Sequence, residues 1–351
     1  MDQRATLAFK HIFLTDVCKI DLQLCMSMKD ITIRPDKSNL VNNEPHPCMV
    51  WVPGGKFKMG SDKHYPEESP AHEVQVEGFW MDKFNVTNQE FERFVQETSY
   101  VTIAERPLSG EDYPGADPAM LYPGSLVFQK PEKRVDLNNY MNWWAFIHGA
   151  SWRHPEGPKS DLEGRWEHPV THVAWEDVEA YAKWIGKELP TEAEWEFAAR
   201  GGLEGKVFEW GDEMTPNKKM MANFWQGEFP WQNFNLDGYE GTSPVGIYPA
   251  NGYGLHDMCG NVWEWTQDWF ISRHKVDKAK TCCIPSNPRG GEKDASLDPH
   301  QPDIKIPRKV LKGGSHLCAP NYCFRFRPAA RSPQMIDSGA CHIGFRCIVR
   351  V

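Results

Sequence analysis

Residues 312–332 read KGGSHLCAPNYCFRFRPAARS and place two cysteines, Cys318 and Cys323, five positions apart. Pro320 lies between them, and proline does not fit the interior of an ordinary helix because it lacks an N–H and its ring clashes with the preceding turn. Two consecutive glycines provide a flexible entry to the segment. A loop or a bulged strand is therefore predicted here, and a loop can bring two thiols at this spacing within a few ångströms of each other.

The spacing of the two cysteines is compatible with a disulfide, a soft-metal site or a pair of structural thiols. Thiolates favour Cu(I), zinc or iron–sulfur clusters. A structural zinc site normally takes four protein ligands, and no second closely spaced pair completes such a set, whereas two thiolates suffice for Cu(I). Arg325, Arg327 and Arg331 follow and are expected to lower the pKa of the thiols. The spacing alone leaves all three uses open.

The composition predicts an irregular, loop-rich globular protein. Hydrophobic residues make up 40% of the 351 residues and charged residues 25%, which allows a sizeable core. The 15 Trp, 28 Gly and 27 Pro combine rigid aromatic rings with turn-forming residues. This combination argues against a helical bundle.

The charges and the apolar runs of the sequence argue against nucleic-acid binding, a signal peptide and a membrane span. The net charge is −9, and no basic tract is present, which argues against nucleic acid as the main partner. The N-terminal segment has no apolar run of signal-peptide length, and no stretch of about 18 apolar residues predicts a membrane span. A reducing cytoplasm is the expected compartment.

The chain is expected to divide into an N-terminal extension and linker, residues 1–44, and one large domain, residues 45–351. The sequence MVWVPGGKFKMGS, residues 49–61, alternates apolar and polar positions around a Pro-Gly-Gly step. This pattern predicts a strand, a turn and a strand.

Three helices are predicted. Two of them lie in residues 86–99 and 191–202. Thr87 and Thr191 are each followed three positions later by a glutamate, which is the signature of a capping box, and Gly201 supplies a left-handed stop to the second of these helices. Residues 176–189 carry an apolar face at helical spacing, made by Val178, Tyr181, Ala182 and Ile185. With the many short apolar runs elsewhere, the predicted class is α+β.

Six segments together resemble one known family. They are MVWVPGGKFKMGS, FNVTNQEF, LPTEAEWEFAARGG, NGYGLHDMCGNVWEW, KGGSHLC and HIGFRC. In this order they resemble the formylglycine-generating enzymes, also called sulfatase-modifying factors, over residues from about 48 to 349. The resemblance implies a single loop-rich domain related to C-type lectins, with little regular secondary structure. The cysteine pair within GGSHLCAPNYC resembles the catalytic members specifically.

The resemblance implies a copper-dependent oxidase. Cys318 and Cys323 are expected to bind Cu(I) and to be the catalytic residues, together with Ser315, which matches a family serine. The expected partner is an unfolded sulfatase polypeptide carrying Cys-x-Pro-x-Arg, whose cysteine becomes Cα-formylglycine with the use of O2 and a thiol reductant. A Cu(I)–thiolate centre can give an electron to O2, which ordinary side chains cannot do.

Other activities of the same fold stay open as alternatives. The first is a non-catalytic, lectin-like module that binds a peptide or another ligand. The second is an iron-dependent sulfoxide synthase. Enzymes of that kind are expected to have a three-histidine iron site that includes an H-x3-H-x-E pattern. No such pattern occurs among the 13 histidines.

The resemblance also implies two structural calcium sites. Hard oxygen ligands mixed with backbone carbonyls on glycine-bearing loops suit Ca²⁺. The first set of expected ligands is Asn223, Phe224, Asp237 and Tyr239, and the second set is Asp257, Gly260, Val262 and Glu264.

Cys347 is expected to be a buried free thiol. Secretory relatives carry structural disulfides, and the positions of their partner cysteines are occupied here by Ala182, Ala199 and Pro328. Cys347 is thus left without its usual mate. The asparagine that many relatives have ahead of the GFR segment is His342 in this chain.

Overall fold

The computed structural model describes residues 46, 48–108, 110, 111, 113, 117, 121–275 and 284–351. The predicted extension, residues 1–44, lies outside the described residues. In the part that is described, no helix is long and apolar enough to cross a membrane.

The regular structure within the described ranges consists of short strands, three α-helices and several one-turn 3₁₀ helices. The helices are α1 Asn88–Thr98, α2 Trp175–Trp184 and α3 Glu192–Arg200. The strands are β1 Met49–Val52, β2 Gly55–Met59, β3 His72–Val76, β4 Phe79–Asp82, β5 Gly124–Phe128, β6 Trp144–His148, β7 Trp263–Trp269, β8 Arg308–Lys312, β9 Arg331–Met335, β10 Ile343–Gly344 and β11 Ile348–Arg350.

The strands form small separate sheets. The four-stranded sheet has the order β10-β7-β8-β9, in which β10 runs parallel to β7 and the other pairs are antiparallel. A three-stranded antiparallel sheet has the order β1-β4-β11, so that the last strand of the chain pairs beside one of the first. Two hairpins, β2-β3 and β5-β6, complete the set. Long loops connect these units, as the abundance of glycine and proline predicts.

The two predicted capping boxes are observed. The Thr87 hydroxyl accepts a hydrogen bond from the Glu90 backbone N–H, and the Glu90 carboxylate accepts one from the Thr87 N–H, at the start of α1. Thr191 and Glu194 make the same reciprocal pair at the start of α3. Gly201 ends α3 with φ of 54°, in the left-handed region that glycine adopts at no steric cost.

The prediction for α2 is wrong at its C-terminal end. The helix stops at Trp184, and Ile185, predicted on the buried face, is 40% exposed. Gly186 has φ of 72°, and the Lys187 N–H donates to the Ala182 carbonyl, which is the pattern of a left-handed helix stop. The periodic pattern continued past a glycine at which the backbone turns away.

The predicted strand, turn and strand at residues 49–61 are present, but the two strands belong to different sheets. Strand β1 pairs with β4, and β2 pairs with β3. Gly54 lies between them with φ of 68°, and a Cβ there would come within 2.6 Å of the Glu77 backbone. This close approach lets the chain pass from one sheet to the other.

Buried ion pairs connect the sheets and loops. Glu264 on β7 and Arg346 between β10 and β11 are both fully buried, and the guanidinium donates through Nε and Nη2 to the two carboxylate oxygens, each at 2.8 Å. Lys312 and Glu196 form a second fully buried pair at 3.0 Å. Removing one member of such a pair leaves an uncompensated charge in the interior, which is strongly destabilising.

We therefore expect Arg346→Leu to lower the free energy of unfolding by ~3–5 kcal/mol, because the Glu264 carboxylate loses its counter-charge. The matched control is Arg93→Leu, which removes the exposed Arg93–Glu97 pair and should cost less than about 1 kcal/mol. Chemical denaturation of both variants measures the difference. Equal losses in the two variants would contradict the structural role of the buried pair.

Candidate active site

The Cys318–Cys323 loop brings its two sulfurs into contact. The Sγ atoms are 3.3 Å apart, and both cysteines are free thiols. Two turns produce this approach, because the Cys318 N–H donates to the Ser315 carbonyl at 2.9 Å and the Cys323 N–H donates to the Ala319 carbonyl at 2.8 Å. The predicted loop is observed, and the separation is too long for a disulfide but suits a hydrogen bond between a thiol and a thiolate.

The two thiols have opposite electrostatic environments. The hydrogen bond from Cys318 lowers the pKa of Cys323 from 9.0 to about 7, with a further contribution from the Arg325 guanidinium. Burial raises the pKa of Cys318, which is only 2% exposed. Cys323 is therefore the thiolate of the pair near neutral pH, and Cys318 is the thiol that donates to it.

Arg325 is the cation beside the thiolate. Its Nη1 lies 3.9 Å from Cys323 Sγ, and its Nη2 donates to Glu67 at 2.6 Å. The guanidinium also lies over the ring of Tyr65, 3.7 Å from the centroid, and the Tyr65 hydroxyl accepts from the Phe324 N–H. Tyr65 and Glu67 thus fix the position of Arg325 from a segment about 260 residues earlier in the chain.

The other two arginines that were expected to act on the thiols have different roles. Arg327 forms a buried bidentate pair with Glu68, and Arg331 donates to Glu192 at 2.8 Å. Arg325 is the arginine among the main causes of the shifted pKa of Cys318 and Cys323. The prediction that arginines favour the thiolates is thus confirmed for Arg325.

An aromatic wall adjoins Cys323. Tyr322 is 40% exposed and stacks on Phe229 with ring centroids 4.6 Å apart, and Trp143 packs edge-on against Tyr322. Cys323 is half-buried next to this wall and packs against the largest apolar core cluster, of which the buried Cys318 is a member. Cys323 is therefore the less buried residue of the pair.

Ser315 lies within the same turn as Cys318 and is fully buried. Its backbone N–H points to Cys318 Sγ at 3.4 Å, and its hydroxyl accepts from the Leu317 N–H at 3.2 Å. The next residue, His316, makes a ring hydrogen bond with the Asn261 carbonyl at 2.8 Å. In this conformation the serine side chain serves the turn, and its backbone is the part that contacts the sulfur.

A cavity of about 380 Å³ lies beside the start of this loop. Its lining includes His316, Leu317, Trp225 and Cys341, whereas neither Cys318 nor Cys323 lines it. The cavity therefore adjoins the loop that carries the thiols without opening on the sulfur atoms.

The sulfur pair fits a soft monovalent metal in the chemistry of its donors. Two adjacent thiols supply two soft ligands, and a metal replaces their protons when it binds. In the described ranges, no group of three or more His, Cys, Asp or Glu residues has an arrangement that holds a metal ion. The two sulfurs are thus the soft donor set that these residues offer.

Two of the four expected ligands of the first calcium set, Phe224 and Asp237, converge on one side chain. The Gln226 amide nitrogen donates to both the Phe224 carbonyl and the Asp237 carboxylate, the latter at 2.6 Å. The Tyr239 N–H donates to the other Asp237 oxygen at 3.1 Å, and Asn223 is buried nearby in sequence. The Phe224 carbonyl and the Asp237 carboxylate are hard oxygen donors of the kind that Ca²⁺ takes, and they supply part of such a ligand set.

The second set offers fewer free oxygens. Both Glu264 oxygens are used, because Asn85 and Arg346 donate to Oε1 while Trp195 and Arg346 donate to Oε2. These four hydrogen bonds occupy the four lone-pair positions of a carboxylate. In this conformation the Glu264 side chain does not fit the role of a calcium ligand.

The other members of the second set differ from Glu264. Asp257 accepts from the Gly246 N–H at 2.7 Å, and Gly260 and Val262 are buried in the adjoining loop. Gly260 lies against the first set, because a Cβ on it would come within 2.4 Å of the Asn223 carbonyl oxygen. The two sets are therefore neighbours in space.

The prediction that Cys347 is a buried free thiol is confirmed. Cys347 is a buried free cysteine. Burial raises its pKa, as does the neighbouring Asp82 carboxylate. An unreactive structural thiol is the consequence.

Comparison with known proteins gives close matches over most of the chain. Residues 36–351 match the family described as Sulfatase-modifying factor enzyme 1-like domain. A protein of Mycobacterium tuberculosis named formylglycine-generating enzyme is 50% identical over 300 residues, which cover 86% of this chain and 97% of that protein. A protein of Mus musculus named inactive C-alpha-formylglycine-generating enzyme 2 is 45% identical over 313 residues, which cover 86% of this chain and 85% of that protein.

A solved structure has the same fold. PvdO from Pseudomonas aeruginosa superposes with a TM-score of 0.57 at 22% identity, over 86% of this chain and 94% of that chain. At this identity the likeness shows the fold alone. The α+β, loop-rich single domain expected from the sequence is confirmed.

The asymmetry of the thiols generates a prediction for the reduced, metal-free protein. Alkylation of Cys323 by iodoacetamide should rise with pH through a midpoint of about 7, because only the thiolate reacts. Cys318→Ala removes the hydrogen bond to Cys323 and should move this midpoint upward. Peptide mass spectrometry as a function of pH measures it. Cys259→Ala, at a buried thiol elsewhere, should leave the midpoint unchanged, and a midpoint near 9 in the unsubstituted protein would refute the assignment.

Proposed function

The chain belongs to the sulfatase-modifying factor family, and on this premise we propose that it converts the cysteine of a Cys-x-Pro-x-Arg segment in a sulfatase polypeptide into Cα-formylglycine. The name of the Mycobacterium tuberculosis relative supports this conversion. The observation that carries the proposal is the contact between Cys318 and Cys323 at 3.3 Å. Two thiols on one short loop are what this chemistry needs for a soft-metal centre.

Cys318 and Cys323 would hold one Cu(I) ion. Bound copper supplies one-electron chemistry with O2 that amino-acid side chains lack. Arg325, kept beside Cys323 by Tyr65 and Glu67, compensates negative charge at the thiolates. The burial of Cys318 keeps water away from one side of the site.

The substrate would approach from the Cys323 side. Tyr322, Phe229 and Trp143 offer aromatic surface there to an extended polypeptide. The reaction consumes the substrate CH2–SH group, one O2 and two reducing equivalents from external thiols, and it yields the aldehyde, hydrogen sulfide and water. Positioning the substrate cysteine beside the thiol pair accounts for the selectivity of such a step.

A second candidate is a binding protein without turnover. The mouse relative named inactive is 45% identical to this chain, which is close to the 50% of the relative named as an enzyme. In this case the aromatic wall would bind a peptide, and the thiol pair would be structural. Binding of the peptide without formation of an aldehyde would favour this candidate.

We expect the copper-loaded full chain to convert a Cys-x-Pro-x-Arg peptide, and we expect Cys318→Ala and Cys323→Ala each to lower the rate by at least ~100-fold, because a single thiolate cannot hold the metal against competing thiols. The unsubstituted protein should bind about one Cu(I) per chain. The variant that carries both Cys318→Ala and Cys323→Ala should bind no Cu(I). Mass spectrometry of the peptide and copper analysis of the protein measure the two quantities.

The matched control for these variants is Cys259→Ala, which removes a buried thiol outside the pair. It should retain both copper binding and turnover. Thermal unfolding of all variants tests whether the fold is intact. If Cys318→Ala or Cys323→Ala still converted the peptide cysteine at the unsubstituted rate, the roles assigned to these two residues would be wrong.

The first calcium set generates a separate prediction. We propose that Ca²⁺ joins the loops around Asp237, so that excess chelator should lower the thermal midpoint of the protein. Asp237→Asn should remove most of this response, whereas the exposed control Asp161→Asn should keep it. Calorimetry with and without chelator measures the midpoints. An identical midpoint under both conditions would rule out a structural calcium ion.

A further inference from the structure

A basic cavity lies next to the segment that positions Arg325. Its volume is about 200 Å³, and its lining comes from residues 58–64, residues 205–212 and the region of Arg327, together with Ala71 and Arg200. This cavity is distinct from the candidate active site, because neither Cys318 nor Cys323 lines it. Its size suits a small ion and not a peptide.

The cavity is lined by five cationic side chains and two carboxylates. The cations are Lys58, Lys63, Arg200, Lys206 and Arg327. Arg200 and Arg327 are paired behind the cavity with glutamates, and Lys206 is paired with Asp212 at its rim. Lys58 and Lys63 are exposed and form no ion pair with any residue that the structure describes. The five cations outnumber the four carboxylates that line the cavity or pair behind it, which are Asp62, Asp212, Glu68 and Glu196.

Arg200 gives a second, independent indication. It is 94% buried by side-chain accessibility, since only 6% is exposed, and its hydrogen bonds to Glu196 and to the Gly60 carbonyl both use Nη2. Its Nε is buried and has no partner among the described residues. A buried guanidinium N–H without an acceptor costs free energy, and the residue that carries it lines the cavity.

The charged groups around His64 show the balance of charge at the cavity. Burial lowers the pKa of His64 first, the charge of Arg327 lowers it further, Glu68 opposes this shift, and Lys63 adds a smaller lowering. Of the two lining carboxylates, Asp212 accepts from Lys206 at 2.6 Å, whereas Asp62 accepts from the Ala71 backbone N–H at 3.0 Å, a bond that does not neutralise it. A cavity with this balance concentrates small anions.

We propose that this cavity binds a small tetrahedral oxyanion, of the chemical class of inorganic phosphate or sulfate. The anion would accept hydrogen bonds from Lys58 and Lys63 on one side and from the arginine wall on the other. It would thereby fasten residues 58–64 to the region of Arg327. The segment that follows carries Tyr65 and Glu67, so a bound anion also steadies the contacts that hold Arg325.

Isothermal titration of the full chain with sodium phosphate and with sodium sulfate, at constant ionic strength, tests the site. Saturable binding at one site is expected for at least one of the two ions, and the tighter one identifies the preferred oxyanion. Acetate serves as the planar comparison. A heat that does not saturate with either tetrahedral ion, or acetate binding as tightly as they do, would overturn the proposal.

Two variants with opposite expected effects make the test specific. Lys63→Gln should weaken binding about tenfold through the loss of one charged donor, and Asp212→Asn should strengthen it by removing a competing carboxylate. Lys133→Gln, an exposed lysine elsewhere, is the matched control and should leave the affinity unchanged. Equal affinities in all variants would place the anion elsewhere and refute the site.

Thermal unfolding gives a second readout. Sulfate and phosphate stabilise most proteins through exclusion from the surface, and this effect is the same in all variants. Binding at the cavity adds a saturable rise in the thermal unfolding midpoint. Lys63→Gln should lose this rise, and Lys133→Gln should keep it. Because none of these residues touches the thiol pair, failure of this proposal is separate from failure of the proposed oxidase activity.

Discussion

The fold depends on buried ion pairs between segments that are far apart in sequence. Glu264 pairs with Arg346, Glu196 with Lys312, and Glu68 with Arg327, at separations of 82, 116 and 259 residues. The strands are short and divided among several small sheets, so backbone ladders alone connect few of the loops. A buried pair gains little over an apolar contact, but it penalises strongly any arrangement that leaves one charge alone. These pairs therefore select one arrangement of the loops.

The same pairs place the candidate active site. Glu196 accepts from the Gly60 N–H at 2.8 Å and so fixes the chain where it leaves β2, and Glu68 fixes it again through Arg327. Glu67 lies between these two points and reaches Arg325, which adjoins Cys323. The charge beside the thiolate is thus set by contacts made from the opposite end of the chain. Loss of the Glu196 carboxylate would therefore alter the position of Arg325 relative to the Cys323 sulfur.

Local features were predictable from the sequence, and long-range contacts were not. The capping boxes at Thr87 and Thr191 depend on residues three positions apart, and the approach of Cys318 to Cys323 depends on a short loop around a proline. The roles of Tyr65 and Glu67 depend on pairing across about 260 residues, for which one sequence carries no signal. The end of α2 was missed because the apolar period continued beyond Gly186, although a glycine at that point was available as a stop signal. The arginines after Cys323 were similar in sequence, and only their distant carboxylate partners distinguish Arg325 from Arg327 and Arg331.

Overall similarity cannot decide between catalysis and binding in this family, because relatives named as active and as inactive match the chain at 50% and 45% identity. The difference between an active and an inactive member is therefore sought in particular residues. In this chain the reactive groups of the candidate active site are the two thiols. Cys318 is buried in the apolar core and Cys323 is half-buried against that core beside an aromatic wall, so Cys323 is the more accessible residue of the pair. A purely structural pair has no need of this asymmetry, nor of a guanidinium positioned by two side chains from another loop. The cost of arranging Arg325, Tyr65 and Glu67 around one half-buried cysteine is understandable if its sulfur has to be a thiolate at neutral pH.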